Sequence, residues 1–358
     1  MKGFVFSHPG FIDVCADEVK EHGISITNEY RTCLEVEAFP EEIVQLLYTC
    51  QSATKTILGG VSGKIAADAD FLRLVKDFDI MPWIKRKRTF RVLGPMQLAG
   101  FVGEAIQKKT NLAVNLRTPD ITFFVHREEE NGYLGVDVLP FDVSKRVYKI
   151  FHTARTIKGT LAYCLVKWSG YNAKKPFLDP CGGSGIIPIE AALFAAKRSP
   201  FFFKKDAFSL SPYDPFRAVN EEAIYAEADK KITQHAPPIY CFDSLLPYVK
   251  AAQKNAKIAG VDKVITTSKY SIAWLDLKIP EQEIGHIVMQ PPFFHDKKEE
   301  ATFYEQFFHQ SNYVLEKNGV IVLLCPHPIS PPSQFSLDEI RQVSSGQQGW
   351  CACKWQKS

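Results

Sequence analysis

Phe177-Leu178-Asp179-Pro180-Cys181-Gly182-Gly183-Ser184-Gly185-Ile186-Ile187-Pro188-Ile189-Glu190-Ala191-Ala192 reads as a strand entering a glycine-rich turn that opens a helix. Glycines let backbone approach a bound ligand closely, and the first turn of the helix turns its N–H groups toward the ligand's polar atoms. Pro188 suits that first turn, where no N–H partner is required. Dinucleotide enzymes use the same device, and a tight turn can also be purely structural. The elements on either side have to decide.

Downstream, strands and helices alternate. Strand patterns at 239–242, 264–267, 286–289 and 320–325 are separated by helical patterns at 248–259 and 303–315. This alternation predicts an α/β unit with a doubly wound parallel sheet. The strand after the glycine turn ends at Asp243, a carboxylate suited to ribose hydroxyls, but 199–238 must be an insertion between them. A nicotinamide-binding fold expects its acid about 20 residues after the glycines, so the insertion argues against a dehydrogenase.

The strand Ile287-Val288-Met289 delivers Gln290-Pro291-Pro292-Phe293-Phe294 to the carboxyl edge of the sheet, where open α/β folds bind ligands. An exocyclic amine on a planar base has a delocalised lone pair. Modifying it requires acceptors that hold the amine hydrogens and orient the nitrogen. Gln290 offers a side-chain carbonyl, Pro291 a backbone carbonyl on a fixed chain, and Phe293 a ring to stack on the base. A proline-rich loop that merely closes a strand is the plainer reading.

The first half carries no catalytic signature and reads as α+β. Strand 3–6 and helix 12–22 open it. A helical pattern follows over 41–58, with Gly59-Gly60 as its breaker, then a short helix over 71–78 and another over 98–108. Strands 121–126 and 134–138 flank the polar turn Glu128-Glu129-Glu130-Asn131-Gly132 as a hairpin. Lys85-Arg86-Lys87-Arg88 is the densest positive cluster, and either a solvated face or contact with phosphate accounts for it. A helix over 156–168 begins the second half.

Composition narrows the class. Hydrophobic residues at 46% and charged residues at 23% describe a folded globular protein, and 358 residues suffice for two or three compact units. A net charge of +3 is too small to identify a polyanionic partner by itself. With no apolar run near the roughly 20 residues that span a bilayer, the expected location is the cytoplasm. The nine cysteines contain no CxxC pair, so reduced thiols and no metal centre are expected.

Taken together, these stretches resemble the THUMP-domain RNA methyltransferases that form N2-methylguanine in tRNA or in large-subunit rRNA. Asp179 to Gly185 with Ile189-Glu190-Ala191-Ala192 looks like that family's Asp-Pro-Phe-Cys-Gly-Ser-Gly motif and its helix. Leu134-Gly135-Val136-Asp137-Val138, Ser144-Lys145-Arg146, Tyr148-Lys149 and Thr156-Ile157-Lys158-Gly159-Thr160-Leu161-Ala162 resemble its approach to the catalytic domain. Phe101-Val102-Gly103 and Pro119-Asp120-Ile121 sit where THUMP modules carry similar residues. Asn255-Ala256-Lys257-Ile258-Ala259-Gly260-Val261 resembles the helix that follows the ribose-binding acid.

The resemblance implies a ferredoxin-like unit over 1–50, a THUMP RNA-binding domain over 51–155 and a Rossmann-like class I methyltransferase domain over 156–358. S-adenosylmethionine would be held by Asp179, Pro180, Gly182, Gly183, Ser184, Gly185, Asp243 and Ser271. Catalysis would fall to Gln290, Pro291, Pro292 and Phe293, and RNA contact to Lys85, Arg86, Lys87, Arg88, Lys145 and Arg146. The expected substrate is structured RNA, tRNA before rRNA. The insertion 199–238 has its counterpart in the bacterial rRNA branch.

Three positions depart from the family. Gly182 stands where cysteine is usual, Tyr270-Ser271 where an adenine-contacting aspartate is expected, and Gln290 where asparagine or aspartate is expected. Glutamine keeps the amide oxygen but moves it by a methylene. A relic methyltransferase fold kept for RNA binding is therefore the alternative. Adenine N6 or protein glutamine as acceptor would share the Gln290 loop but leave the N-terminal half without a task.

Overall fold

The computed structural model describes residues 1–358 apart from Arg86, Pro140, Arg155, Gly346 and Gln347. In the first half the chain runs β1 (Lys2–Phe6), α1 (Ile12–Glu21), β2 (Ser25–Glu29), β3 (Cys33–Glu37), α2 (Pro40–Thr49) and β4 (Lys55–Lys64). It continues through α3 (Phe71–Asp77), α4 (Met81–Ile84), β5 (Thr89–Leu93), α5 (Met96–Thr110), β6 (Ala113–Val114), β7 (Ile121–Glu128) and β8 (Asn131–Asp137). The strands make one eight-stranded sheet in the order β2-β3-β1-β4-β8-β7-β5-β6. The sheet passes unbroken through residue 50, because β1 pairs with β4 from Gly3 opposite Leu58 to Phe6 opposite Lys55.

Period-two burial gives this sheet two different faces. On β7, Ile121, Phe123 and Val125 are buried in the core shared with α1, α2, α3 and α5, while Thr122, Phe124 and His126 point the other way and stay half-exposed. The expected hairpin of β7 and β8 is present, with Glu129 at φ 54° in its turn.

The helical pattern expected over 41–58 ends at Thr49, and Lys55–Leu58 belongs to a strand. Gly59 and Gly60 break no helix. They lie in β4, where the register against β8 shifts between Leu58 and Val61. Gly59 has φ 63°, and a Cβ there would stand 2.4 Å from Trp83 Nε1, so the bulge is built around the indole. Ile57 and Leu58 satisfy a helical and a strand period equally, and pairing with β1 and β8 decides between them.

The second half contains α6 (Gly159–Trp168), β9 (Phe177–Asp179), α7 (Ile186–Ala195), α8 (Glu221–Asp229), β10 (Ile239–Asp243) and α9 (Leu246–Ala259). It continues with β11 (Ile265–Lys269), β12 (Ile284–Met289), α10 (Lys297–Val314), β13 (Leu315–Cys325), β14 (Phe335–Ser345) and β15 (Gln348–Lys357). The order β11-β10-β9-β12-β13-β15-β14 is Rossmann-like and doubly wound. The sheet is mixed, where the alternation predicted a parallel one. β15 runs antiparallel to both β13 and β14. β14 and β15 are joined by a short hairpin, a connection open only to antiparallel neighbours. Chain order reverses between β9 and β12, which opens a crevice at their carboxyl ends.

Three polar ties, two buried and one at the surface, hold the halves together. Arg146, expected on an RNA-facing surface, has a side chain with 0% exposure, and its Nε lies 2.7 Å from Glu190 of α7. Its other nitrogens donate to Glu190 Oε2 at 3.0 Å, Val143 O at 3.1 Å and Gln51 O at 2.7 Å. Tyr148 and Gln51 complete the shell around Glu190. Burial works against the charge on Arg146, but the Glu190 carboxylate outweighs it and keeps the guanidinium protonated. This arginine is a structural member of the junction and cannot reach RNA.

His8 Nε2 meets Thr160 Oγ1 at 2.8 Å in the second tie, and in the third Arg341 of β14 donates to Gly10 O and Asp13 Oδ1. The insertion 199–238 braces the same junction: Tyr48 of α2 donates to Asp229 of α8 and packs on Tyr225. Eight of the nine cysteines are buried free thiols and Cys181 is half-exposed, so most act as small core residues. No helix among the described residues is long and apolar enough to cross a membrane.

Candidate active site

β9 lies inside the second sheet between β10 and β12, covered on both faces, so it can offer a ligand only its end. There Asp179, 1% exposed, accepts from Cys181 N at 3.0 Å and starts the turn. Gly182 N donates to Phe242 O at 2.7 Å, and Gly185 N closes the loop onto Gly182 O at 2.8 Å. Gly183 at φ 55° and Gly185 at φ 82° take the left-handed conformations that this turn demands. Gly185 is the residue before α7, and no side chain caps that helix, which leaves its first N–H groups facing the crevice.

Asp243 at the end of β10 ties the second strand to the turn. Its Oδ2 accepts from Gly183 N at 3.0 Å and its Oδ1 from Leu245 N at 3.0 Å. The family departure at Gly182 has a local explanation. A Cβ there would meet Cys241 Sγ at 2.5 Å, so the sulfur of the neighbouring strand fills the space that a side chain at 182 would take. Burial, then Asp179 and Asp243, push the Cys241 thiol well above its ordinary range, and it stays neutral filler.

β12 brings Gln290, 7% exposed, to the opposite lip. Asp179, Gly182, Gly183, Ser184 and Gln290 share one recess with Thr156 and Ile157. Five of the expected residues thus meet in one place, and Asp243 joins them through Gly183. The recess holds only about 20 Å³, room for one water molecule. Thr156 and Ile157 line one side of it and belong, with Ile150–Phe151 and Lys158, to a strap that leads into α6. Asn255 of α9 pins the strap by accepting from Ile150 N and Phe151 N and donating to Phe151 O, while a further bond reaches Ser184 O.

Pro180 is buried inside the turn. Ser271 lies in a neighbouring open recess of about 440 Å³ with Lys269, Tyr270, Trp274 and Leu277, and its Oγ accepts from Ala273 N. After Gln290 the chain continues with buried Pro291 and half-buried Pro292. Phe293 is 48% exposed with its ring 5.6 Å from Trp350, and Phe294 turns inward against Phe303. An exposed aromatic beside a buried amide is the arrangement a planar base needs.

The basic run leans on the insertion. Lys85 pairs with Asp214 at 3.1 Å, and Lys87 sits 5.0 Å over the Tyr213 ring. Arg88 and Lys145 are exposed, and Arg86 lies outside the described residues. No cluster that could hold a metal ion occurs among the described residues. Sequence reading missed the strap and its anchor. Asn255 is fully buried among Val249, Ala252, Ala256 and Ala259 on one face of α9, and a polar residue in that apolar stripe was the signal available.

The RMKL-like methyltransferase domain family (UPF0020) matches residues 146–356, more than half of the chain. The ribosomal RNA large subunit methyltransferase K/L of Vibrio parahaemolyticus is 29% identical over 206 residues, which are 56% of this chain and 29% of that relative. The chain therefore spans under a third of that curated relative. Among solved structures, a possible methylase from Clostridium difficile 630 superposes with a TM-score of 0.82 at 18% identity, covering 100% of this chain and 98% of that one. SMU.472, a methyltransferase by assignment and solved in complex with SAH, gives a TM-score of 0.78 at 17% identity over 99% of this chain and 97% of that one. At such identities the two structures establish the fold alone.

Proposed function

Because the chain belongs to the RMKL-like methyltransferase domain family, we propose that it transfers a methyl group from S-adenosylmethionine to RNA, with guanine N2 in tRNA as the first choice of acceptor. The observation that carries this reading is the recess shared by the glycine turn and Gln290. The N-terminal sheet is read as a ferredoxin-like unit and a THUMP module that present the RNA, and the cytoplasm as the place of action.

The residues at the crevice fit the donor. Its amino-acid end suits Asp179 and the open N–H groups of α7, the glycine turn gives the close backbone approach, and Asp243 and Ser271 suit its ribose and adenine. When bound, the donor supplies a methyl group on a positively charged sulfur. Gln290 Oε1 accepts one amine hydrogen and the Pro291 carbonyl another, which turns the nitrogen lone pair toward the crevice. Phe293 covers one face of the base.

Large-subunit rRNA is the second reading, supported by the ribosomal methyltransferase relative. Incubation with methyl-labelled S-adenosylmethionine and separated tRNA and rRNA fractions tests both. Label is expected in RNA, first in tRNA, and Gln290→Ala should lower the initial rate by roughly 100- to 1,000-fold, the usual effect of removing one oriented polar group. Label confined to rRNA selects the second reading. No label in either fraction, with RNA still bound, leaves a relic fold that binds RNA without modifying it.

A further inference from the structure

The segment after Gln290 is held by rings rather than by hydrogen bonds. Residues 291–295 make no hydrogen bond among the described residues. Pro291 and Pro292 fix two φ angles but donate nothing. Phe294 packs inward, 5.0 Å from the Phe303 ring and 6.2 Å from that of Tyr304. Phe293, the ring assigned to the base, is 48% exposed and has one aromatic neighbour among the described residues, Trp350 at 5.6 Å with planes 45° apart. A ring half in water keeps several rotamers open unless a neighbour excludes them.

Topology brings Trp350 to this place. β12 and β13 run parallel, with Met289 opposite Leu323. β15 runs the other way, and Cys351 stands opposite Cys325, the last residue of β13. The start of β15 therefore lies at the edge where the parallel strands finish, and Trp350 is the residue just beyond that pair. A parallel β15 would carry Trp350 to the opposite edge of the sheet.

The indole has a built seat. Trp350 is 6% exposed, stands opposite Val343 of β14, and shares one core with Val343 and with Phe11 and Val14 of the first half. The same hairpin grips that half, since Arg341 donates to Gly10 O at 2.9 Å and to Asp13 Oδ1 at 2.8 Å. A Cβ on Gly10 would stand 2.8 Å from Gln342 O, so the two backbones approach closely there. The wall behind Phe293 is thus built where the halves meet.

We propose that Trp350 is a positioning residue for methyl transfer, holding the Phe293 ring at the angle at which the acceptor base stacks on it. The inference rests on the RNA reading above and deepens it by naming what sets the base platform. Trp350 acts through Phe293 and needs no contact with donor or amine. Its effect falls on turnover rather than on affinity. RNA is gripped mainly through its backbone, whereas a misplacement of about an ångström at the base slows the step itself.

The test uses the full-length protein in two assays. Chymotrypsin cuts after phenylalanine, and cleavage between Phe293 and Phe294 follows how often this segment opens. Trp350→Leu should speed that cut at least about fivefold, the loss expected when an aromatic pair is removed, while cleavage after the exposed Phe203 keeps its native rate. With tRNA and methyl-labelled S-adenosylmethionine, the same variant should lose roughly 10- to 100-fold in kcat, with both KM values within about twofold of native. Trp350→Phe keeps a ring against Phe293 and should recover most of both losses. Val343→Ala loosens the seat of the indole while removing less core, and should give the Trp350→Leu pattern in smaller measure.

A native rate of cleavage at Phe293 in Trp350→Leu overturns the proposal, and so does a loosened segment with native kcat. Cleavage sped as much at Phe203 as at Phe293 would mark general loosening. Val343→Ala then decides, and native behaviour of that variant in both assays overturns the proposal as well. Should the native protein label no RNA, the reading of function fails, and the cleavage assay alone decides whether Trp350 sets Phe293.

Discussion

The two sheets of this molecule offer ligands opposite kinds of surface. The second is mostly parallel and packed by helices on both faces, so only the strand ends at Asp179, Asp243 and Gln290 are available. The first carries its helices on one face, and the other face lies open as a broad aromatic cleft. Crossover helices cover a parallel sheet twice, whereas hairpins leave an antiparallel one half-bare. Chemistry that needs precise placement belongs at the first kind of site, and extended contact with a polymer at the second.

The largest way to break this pairing is to cut the tie between the sheets. Arg146→Met leaves Glu190 buried without its partner and should destabilise the fold by about 3–5 kcal/mol in chemical denaturation. Adding Glu190→Leu should recover much of that loss, since the cost lies in the uncompensated charge. A single variant within 1 kcal/mol of the native protein, a threshold set by the value of an exposed pair, would show that the tie carries little.

Acid tests the same junction. Burial, then the Lys158 ammonium, hold the His8 imidazole down at about 4. Between pH 6.5 and 4 the unfolded chain binds a proton that the folded His8 resists. Stability present above pH 6.5 is therefore lost as pH falls toward 4, on the order of 2–3 kcal/mol. His8→Gln should flatten that limb of the stability profile, and an unaltered limb would remove His8 from the account.

Gly182→Ala probes the edge site alone. Its Cβ would collide with Cys241 Sγ, and overpacking of this kind costs about 1–3 kcal/mol. Cys241→Ala in the same chain should restore most of the denaturation midpoint, because it vacates the contested space. The smallest effect belongs to the basic run. Lys85→Gln with Arg88→Gln should shift stability by less than about 1 kcal/mol while lowering the salt slope of RNA binding by about one to two. An unchanged slope would place this run outside the contact surface.

How far sequence could be read differs between the sheets for the same reason. β9, β10 and the Ile287–Met289 end of β12 are apolar runs ending in marked residues, and their glycine turn and Gln290 lie within the stretches that decide the fold. The recess they form was legible before any coordinates. The hairpin of β14 and β15 was not, since only Cys351 and Cys353 hinted at alternation there. In the first half, β4 shares its apolar spacing with a helix, and long-range pairing settles what local pattern leaves open. Arg146 shows the limit most clearly. A cation beside Lys145 looks like surface in one dimension, and only the arrival of Glu190 from α7 buries it.

The strap has one further consequence. Ile157 and Lys158 are successive residues that face different cavities, and α6 begins at the next position. Substitutions at 156–158 are thus read by two sites at once, and their effects will not add. Only a double-mutant cycle that pairs a strap position with Gln290, and again with Phe124, can assign such an effect to one site or the other.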